Sequence, residues 1–265
     1  MTRLVSWPMY VVDSAAVADF WSRLRQALAA AGLDGVPAAL TMPDDLVAHW
    51  RDPALLLSQT CGFPFVTSLA GHVRYVATPC FTAPGCEGAC YRSAIVVRRD
   101  ETAQTLAAMR GRRAAFNSRD SQSGYNGLRA LVAPLAKGER FFGGTLETGA
   151  HRLSLRAVVS GAADLAAIDV VTLALLSDHA PDEIEALRIL DHTAPVPGLP
   201  FITAADTSDA DLARLLQAVA EACRGDTAAA RKLRLDGVAV LAPGSYDAIL
   251  MQRNVAHDAG YPDIA

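Results

Sequence analysis

The chain has 265 residues, enough for one large domain or two smaller lobes with a sizeable core. Hydrophobic residues make up 51% of it and charged residues 20%, which excludes general disorder. The net charge of −4 argues against nucleic acid or an anionic membrane as the main partner. The sequence contains no apolar run long enough to span a bilayer, so no membrane insertion is predicted.

The N-terminal segment MTRLVSWPMYVVDSAAVADFW lacks the basic start, apolar block and cleavage site of a secretory signal. As written, the chain is therefore predicted to be cytoplasmic, and periplasmic if a leader was removed or lies upstream. Its five cysteines include Cys80, Cys86 and Cys90, whose spacing matches no zinc signature. We expect thiols, buried or in loops, rather than a local disulfide, and predict no metal site and no cofactor.

Strand and helix patterns alternate along the whole chain. The predicted strands are residues 2–7, 36–42, 53–60, 73–78, 92–99, 112–117, 163–169, 186–193, 199–203 and 236–243. The predicted helices are residues 12–31, 44–50 and 103–109, one after Ser123, one at about 150–159, one after Val170, residues 209–223, and one from about residue 246. This alternation predicts open, mostly parallel sheets covered by helices, which bind ligands beyond the carboxyl ends of their strands.

The strongest of these strand-to-helix junctions is the segment SRDSQSG, in which Ser121, Gln122 and Ser123 precede a helix. Free N–H groups and the positive end of the helix dipole lie at such a position. Hydroxyl groups beside them can receive the oxygens of an anion without a formal positive charge. A plain helix cap by Ser121 or Ser123 is the competing interpretation, and for this stretch alone the favoured one.

Two further junctions carry His151 and Asp169. His151 lies near a helix start, where the dipole disfavours protonation, so a neutral imidazole that donates an N–H to a bound oxygen is expected. A solvent-facing histidine is the alternative. Asp169 ends an apolar strand and either caps the next helix, which is the favoured interpretation, or accepts an N–H or O–H from a ligand.

Aromatic and polar side chains at other strand ends could line a pocket, namely Tyr10, Gln59 and Tyr91. Signatures of common catalytic and nucleotide-binding sites are missing: there is no G-x-S-x-G elbow, P-loop or G-x-G-x-x-G. A nucleophile–base pair of Cys61 or Ser121 with His151 stays open, because sequence does not show which side chains meet.

The segment SRDSQSGYNGLRAL, followed by TGAHRLSLRAVVSGAADLAAIDVVTLALL, resembles the phosphonate/phosphate-type substrate-binding proteins of ABC transporters. The resemblance extends to DPALLLSQTCGFPF and ATPCFTAPGCEGACYRSAIVVR. It implies a type II periplasmic-binding-protein fold: two α/β lobes with mostly parallel sheets, two crossover strands, and a ligand cleft between the lobes that closes around the ligand. Residues 1–92 and 193–265 would form lobe 1, and residues 93–192 lobe 2.

The same resemblance implies site residues. Ser121, Ser123 and the backbone of Gln122 would hold the phosphonate-type oxygens, with His151 beside them. Asp169 would hold an amine or hydroxyl of the ligand, and Tyr91, Tyr10 and Gln59 would complete the site. Gln122 stands where the family usually has Ser or Thr, and we expect its side chain to narrow or alter the anion pocket.

The predicted function is that of a non-enzymatic solute-binding protein for a small anionic or zwitterionic ligand, such as a phosphonate or phosphate, with an ABC transporter permease as partner. The alternatives are a cytoplasmic lyase or cyclase on the same fold and a cytoplasmic sensor that signals by ligand-driven closure. The missing leader pattern favours the enzyme, and the missing catalytic motif disfavours it.

Overall fold

The computed structural model describes residues 3–265, so Thr2 of the first predicted strand lies outside the described residues. The chain divides into two compact units. Unit 1 contains the residues up to Cys90 together with Pro197–Ser245, and unit 2 contains Tyr91–Val196 and Tyr246–Ala265.

The secondary structure follows the predicted alternation closely. The strands are β1 (Leu4–Val5), β2 (Leu55–Gln59), β3 (Val73–Phe81), β4 (Cys90–Tyr91), β5 (Ser93–Arg98), β6 (Arg113–Phe116), β7 (Gly144–Glu147), β8 (Leu165–Asp169), β9 (Leu187–His192), β10 (Val196–Pro197), β11 (Phe201–Ala204) and β12 (Leu235–Ala239). The α-helices are α1 (Ser14–Ala30), α2 (Leu46–Trp50), α3 (Gly62–Val66), α4 (Gly127–Ala136), α5 (His151–Val159), α6 (Val170–His179), α7 (Asp209–Ala222), α8 (Ala228–Lys232) and α9 (Asp247–Asp258).

Helix α1 shows why these predictions succeed. Its apolar residues recur every three or four positions, and those at Phe20, Leu24 and Leu28 are buried. The Asp13 carboxylate accepts a hydrogen bond from the N–H of Ala15 and caps the helix. At the other end, Gly32 adopts a φ of +75°, a conformation that stops a helix and suits glycine.

The sheet of unit 1 has the strand order β1-β2-β11-β3-β12. Strands β1 and β2 are parallel, and β11 pairs antiparallel with both β2 and β3. Apolar side chains of β2 and β11 pack with those of α2, so that Trp50, Leu55 and Ile202 are fully buried in one core cluster.

The sheet of unit 2 has the order β7-β6-β8-β5-β9. Strands β7, β6 and β8 are parallel, whereas β5 pairs antiparallel with β8 and β9. The sheet carries α4 and α5, and its core contains the rings of Phe116, Tyr125, Phe141 and Phe142.

Both sheets are therefore mixed, which corrects the expectation of mostly parallel pairing. Strand β5 in unit 2 and strand β11 in unit 1 each lie antiparallel between two neighbours. Each is the first strand of its five-stranded sheet after the chain enters from the other unit. These strands are reached directly from the short connecting strands β4 and β10, so no helix intervenes to reverse the chain direction.

Some local predictions were wrong. Residues 36–42 form a loop, not a strand: Pro37 has no N–H to donate, and the contact of Thr41 N–H with the Val5 carbonyl does not extend into a ladder. The helix predicted at 103–109 is a short 3₁₀ turn, Leu106–Met109. Strands β4, β7 and β10 and helices α3 and α8 have no counterpart among the predicted elements.

The C-terminal segment also differs from the predicted lobe boundary. The sequence predicts that residues 193–265 pack with the N-terminal residues, whereas Tyr246–Ala265 belong to unit 2. There α9 packs on α4, and Ala256, Tyr261 and Ile264 are buried in the core of unit 2. The side-chain amide of Asn126 donates to the carbonyl of Ile249 at 3.1 Å, which ties the segment to the turn before α4.

Candidate ligand-binding site

Most predicted site residues of unit 2 lie where its three parallel strands end. Strand β6 ends at Phe116, β7 at Glu147 and β8 at Asp169, and their parallel pairing brings these ends to one edge of the sheet. The segments that follow contain the serine cluster, His151 and the start of α6. This edge is the position at which open α/β sheets bind their ligands.

The serine cluster begins a turn of π-helix, Gln122–Asn126, that leads into α4. The N–H of Asn126 donates to the carbonyl of Ser121 at 2.9 Å, the wide spacing that defines such a turn. Ser121 Oγ accepts the N–H of Gly124 at 3.0 Å, which confirms Ser121 as the cap. The start of a helical turn, with its N–H groups and the positive end of the helix dipole, is a favourable place for an anion.

Ser123 and His151 form a direct side-chain hydrogen bond at this edge. Ser123 Oγ lies 2.8 Å from Nε2 of His151, the first residue of α5. The carbonyl of Ser123 accepts the hydroxyl of Ser93 at 2.9 Å, so the residue is held from both sides. The ring nitrogen that carries the proton decides whether the Ser123 hydroxyl donates to His151 or accepts from it.

The imidazole of His151 is neutral at physiological pH. Burial lowers its pKa from 6.5 to about 4, against a smaller raising effect of the Ala167 carbonyl. Its Nδ1 atom is buried and has no partner at full hydrogen-bond geometry among the described residues, so the backbone of Ala167 interacts with the ring only weakly. The position at the positive end of α5 disfavours a charged ring further.

Gln122 does not narrow the anion site with its side chain. Its Oε1 accepts the amide of Asn126 at 2.7 Å, and its Nε2 donates to Gln252 of α9, also at 2.7 Å. Both ends of the amide are thus engaged with the packing of unit 2, because the π-turn directs the side chain towards α9. The expected narrowing of the pocket by the Gln122 side chain is therefore wrong.

Asp169 is a helix cap. Its Oδ1 accepts the N–H groups of Val171 at 2.7 Å and Thr172 at 3.3 Å at the start of α6. It is almost fully buried and lies opposite Ser93 in the β5–β8 pair. The capping interpretation is confirmed, and a ligand contact by this carboxylate stays a prediction.

The aromatic and amide residues are divided between the two units. Tyr91 is buried at the end of β4 and belongs to unit 2. Tyr10 and Gln59 belong to unit 1, where the Tyr10 ring packs edge-on against Phe81 at 5.2 Å. Gln59 donates its Nε2 to the carbonyl of Leu199 at 3.2 Å, and its buried Oε1 has no hydrogen-bond partner among the described residues.

The predicted nucleophile–base pairs take a different form. His151 pairs with Ser123, whereas the Ser121 hydroxyl accepts the N–H of Gly124. No carboxylate of the described residues orients the buried Nδ1 of His151, and its low pKa makes the ring a weak base. All five cysteines are thiols. The contact between Ser123 and His151 therefore suits orientation of the Ser123 hydroxyl better than its deprotonation to a nucleophile.

Two residues of this edge are not among the sequence-derived candidates. Ser93 holds the Ser123 carbonyl, and Asn117, directly after β6, places its amide against Gly124. The sequence does indicate Asn117, because this residue follows a predicted strand and lies four residues before Ser121. Ser93 carries no such signal, because its role depends on the antiparallel insertion of β5.

The model of one protein family matches residues 11–246, which is most of the chain. Its description is that of the periplasmic, phosphonate substrate-binding protein of ABC transporters. The chain belongs to this family. Family membership supports a substrate-binding protein over the enzyme and sensor alternatives, and no curated protein matches the sequence at a significant level.

Solved structures show the same fold for this phosphonate-binding family member. PhnD1 from Prochlorococcus marinus, in complex with methylphosphonate, has a TM-score of 0.76 at 14% identity, covering 96% of this chain and 97% of PhnD1. A binding-protein component of an ABC phosphonate transporter from Pseudomonas aeruginosa has a TM-score of 0.75 at 15% identity, with 97% and 87% covered. A protein from Xanthomonas citri bound to ATP has a TM-score of 0.69 at 18% identity, with 98% of both chains covered. The predicted two-lobed periplasmic-binding-protein fold is thereby confirmed.

The structure also bears on the relation to membranes. Within residues 3–265, none of the helices combines the length and the apolar character needed to cross a bilayer. The family is described as periplasmic.

Proposed function

We propose that this substrate-binding protein captures a small oxyanion of the phosphonate or phosphate type at the serine cluster of unit 2. The observation that carries the proposal is the pair formed by Ser123 and a neutral His151 beside the N–H groups of the π-turn. Hydroxyl and N–H donors then converge at the carboxyl edge of three parallel strands, which is the arrangement that receives anions without a bound cation.

Each residue has a distinct part in this proposal. Ser121 uses its oxygen lone pairs to cap Gly124, so its hydroxyl hydrogen remains for the ligand. Gln122 contributes its backbone N–H. When Nε2 of His151 carries the proton and donates to Ser123 Oγ, the Ser123 hydroxyl donates to a ligand oxygen. Anion binding therefore selects this tautomer of the neutral ring.

The other predicted residues extend the site. We assign to Asp169 the capture of an amine or hydroxyl of the ligand, and to Tyr91 an apolar contact. For Tyr10 and Gln59 of unit 1 the roles remain predictions, supported for Gln59 by its buried and unpartnered Oε1, which suits a ligand donor. Alanine variants of Asp169, Tyr91, Tyr10 and Gln59 test these roles by calorimetric titration with the ligand.

As a member of an ABC transporter family, the protein is proposed to deliver its ligand to a transporter permease in the periplasm. Fractionation of cells that express the complete gene tests the compartment, against the cytoplasmic localisation expected from the sequence as written. Recovery of the protein exclusively with cytoplasmic markers would contradict a role in periplasmic capture.

The ligand class is tested by thermal unfolding with methylphosphonate, 2-aminoethylphosphonate, phosphate, sulfate and acetate. A ligand that binds only the folded protein stabilises it by about 2.7 kcal/mol at one hundred times its Kd. We expect a concentration-dependent rise in Tm with a phosphonate or phosphate. A flat response to all five compounds contradicts the proposed function.

The residues are tested by Ser123→Ala. Loss of one hydrogen bond to a charged ligand is expected to weaken binding by about tenfold or more. Calorimetric titration with the best ligand of the panel measures the change. Ser160→Ala, at an exposed serine after α5, is the matched control and should bind as the unmodified protein does. Equal affinities of the two variants would remove Ser123 from the site.

A further inference from the structure

The side chain of Asn117 occupies the space above Gly124 in the serine cluster. A Cβ atom built on Gly124 would lie 1.9 Å from Asn117 Oδ1 and 3.3 Å from Cε1 of His151. The Asn117 amide and the His151 ring therefore meet over this glycine, and only a residue without a side chain fits beneath them. Asn117 is itself held by its carbonyl, which accepts the N–H of Gly149 at 2.8 Å.

The two ends of this amide have different surroundings. Oδ1 is buried and makes no hydrogen bond to the described residues. It contacts the Cα of Gly124, whose hydrogens favour an oxygen at that place over an NH₂ group. The Nδ2 atom is not among the buried atoms that lack a partner, and Asn117 as a residue is partly exposed. Neither N–H donates to any described residue, although amide donors usually have partners.

We propose that Asn117 is a ligand-binding residue that determines specificity: its side-chain N–H donates to an oxygen of the anion held by Ser121 and Ser123. This inference rests on the proposed function and adds a residue to it. The amide is neutral, lies beside His151 and follows β6 at the same edge of the sheet.

The N–H donor of Asn117 would make the site prefer tetrahedral anions over planar ones. Ser121, Ser123 and Asn117 supply hydroxyl or amide donors from three separate positions around the π-turn. A tetrahedral phosphonate or phosphate presents oxygens in three directions to such a set, whereas the acceptor sites of a carboxylate lie in one plane and fit three donors in separate directions less well. A buried donor without a partner costs free energy, so carboxylates are disfavoured.

Asn117→Asp tests this role because it keeps the buried oxygen above Gly124 and replaces the N–H donors by a negative charge. Methylphosphonate, phosphate and acetate are titrated into the full-length protein and its variants by calorimetry. We expect methylphosphonate or phosphate to bind the Asp variant at least about tenfold more weakly, as for a lost hydrogen bond to a charged group. Asn117→Ala, which adds no charge, should also bind more weakly and lose part of the preference for a tetrahedral anion over acetate.

The matched control is Asn254→Asp, which adds the same charge at an exposed position of α9. It should bind within about twofold of the unmodified protein, a difference that lies inside the range of surface electrostatics. If both Asn117 variants keep the affinity and selectivity of the unmodified protein, the inference is overturned while the proposed function stands. If the unmodified protein binds none of the anions, the proposed function falls and the inference with it. Circular dichroism and the Tm without ligand check that the variants fold.

Discussion

His151 is a partly exposed histidine with a buried Nδ1 atom, and its protonation opposes folding. Its pKa lies near 4 in the folded protein, below the ordinary value of 6.5, because burial penalises the charged ring. The unfolded chain therefore takes up a proton at a higher pH than the folded one does. Stability associated with this residue is present above pH 6.5 and is lost as the pH falls from there towards 4.

The lowered pKa of His151 gives a prediction for His151→Gln. Between pH 7 and pH 4.5 the unmodified protein should lose about 2 kcal/mol more unfolding free energy than the variant does, since the variant lacks the group that titrates. Urea denaturation at the two pH values measures both losses. His257→Gln, at an exposed histidine of α9, is the control and should follow the unmodified protein. Parallel losses in His151→Gln and the unmodified protein would show that the ring is not held neutral by folding.

At the scale of the element, the carboxylate of Asp169 at the start of α6 has an observed role as a helix cap and a proposed role in ligand binding. Asp169 ends β8 and caps α6 through the N–H groups of Val171 and Thr172. Capping needs an oxygen acceptor, which Asn also supplies, whereas capture of a ligand ammonium needs the charge. The two roles can therefore be separated by substitution.

We expect Asp169→Ala to lower the unfolding free energy by about 1 kcal/mol, and Asp169→Asn to lower it by much less, because Asn is as good a cap as Asp. If the carboxylate also binds an ammonium group, Asp169→Asn weakens binding of 2-aminoethylphosphonate and leaves methylphosphonate unaffected. Denaturation and calorimetric titration measure these effects. Equal weakening of both ligands would contradict an ammonium contact.

Elements were predictable where local chemistry defines them. The apolar face of α1, the cap at Asp13 and the buried run of β8 can each be recognised in a few residues of sequence. The serine cluster and His151 were also found, since both stand at such junctions. The π-turn was not, and so the direction of the Gln122 side chain was misjudged. That direction depends on Gln252, which lies far along the chain.

At the scale of the whole molecule, each compact unit is built from separate stretches of chain. The antiparallel insertion of β5 and β11 and the return of Tyr246–Ala265 to unit 2 are long-range choices. Local hydrophobic periodicity does not predict these pairings, because a pattern that identifies a strand does not identify the strand beside it in the sheet. The assignment of Tyr246–Ala265 to lobe 1 was wrong for this reason.

The role of the C-terminal segment gives a prediction. A chain that ends after Ser245 lacks α9, the acceptor for Gln122 and the buried Ala256, Tyr261 and Ile264. We expect its unit 2 to lose protection from hydrogen exchange across β6 and β8, because α4 then exposes its apolar face. Hydrogen exchange with mass spectrometry measures the two units separately, and unit 1 serves as the internal control. Full protection of β6 and β8 in the shortened chain would contradict this dependence.

The return of Tyr246–Ala265 to unit 2 has a consequence for synthesis. On the ribosome, every strand of unit 2 and the whole of unit 1 emerge before the segment that supports the π-turn. A nascent chain therefore passes through a stage in which the serine cluster has left the exit tunnel but its supporting helix has not been translated. The unfinished protein should be unable to hold its anion until the C-terminal segment has packed on α4.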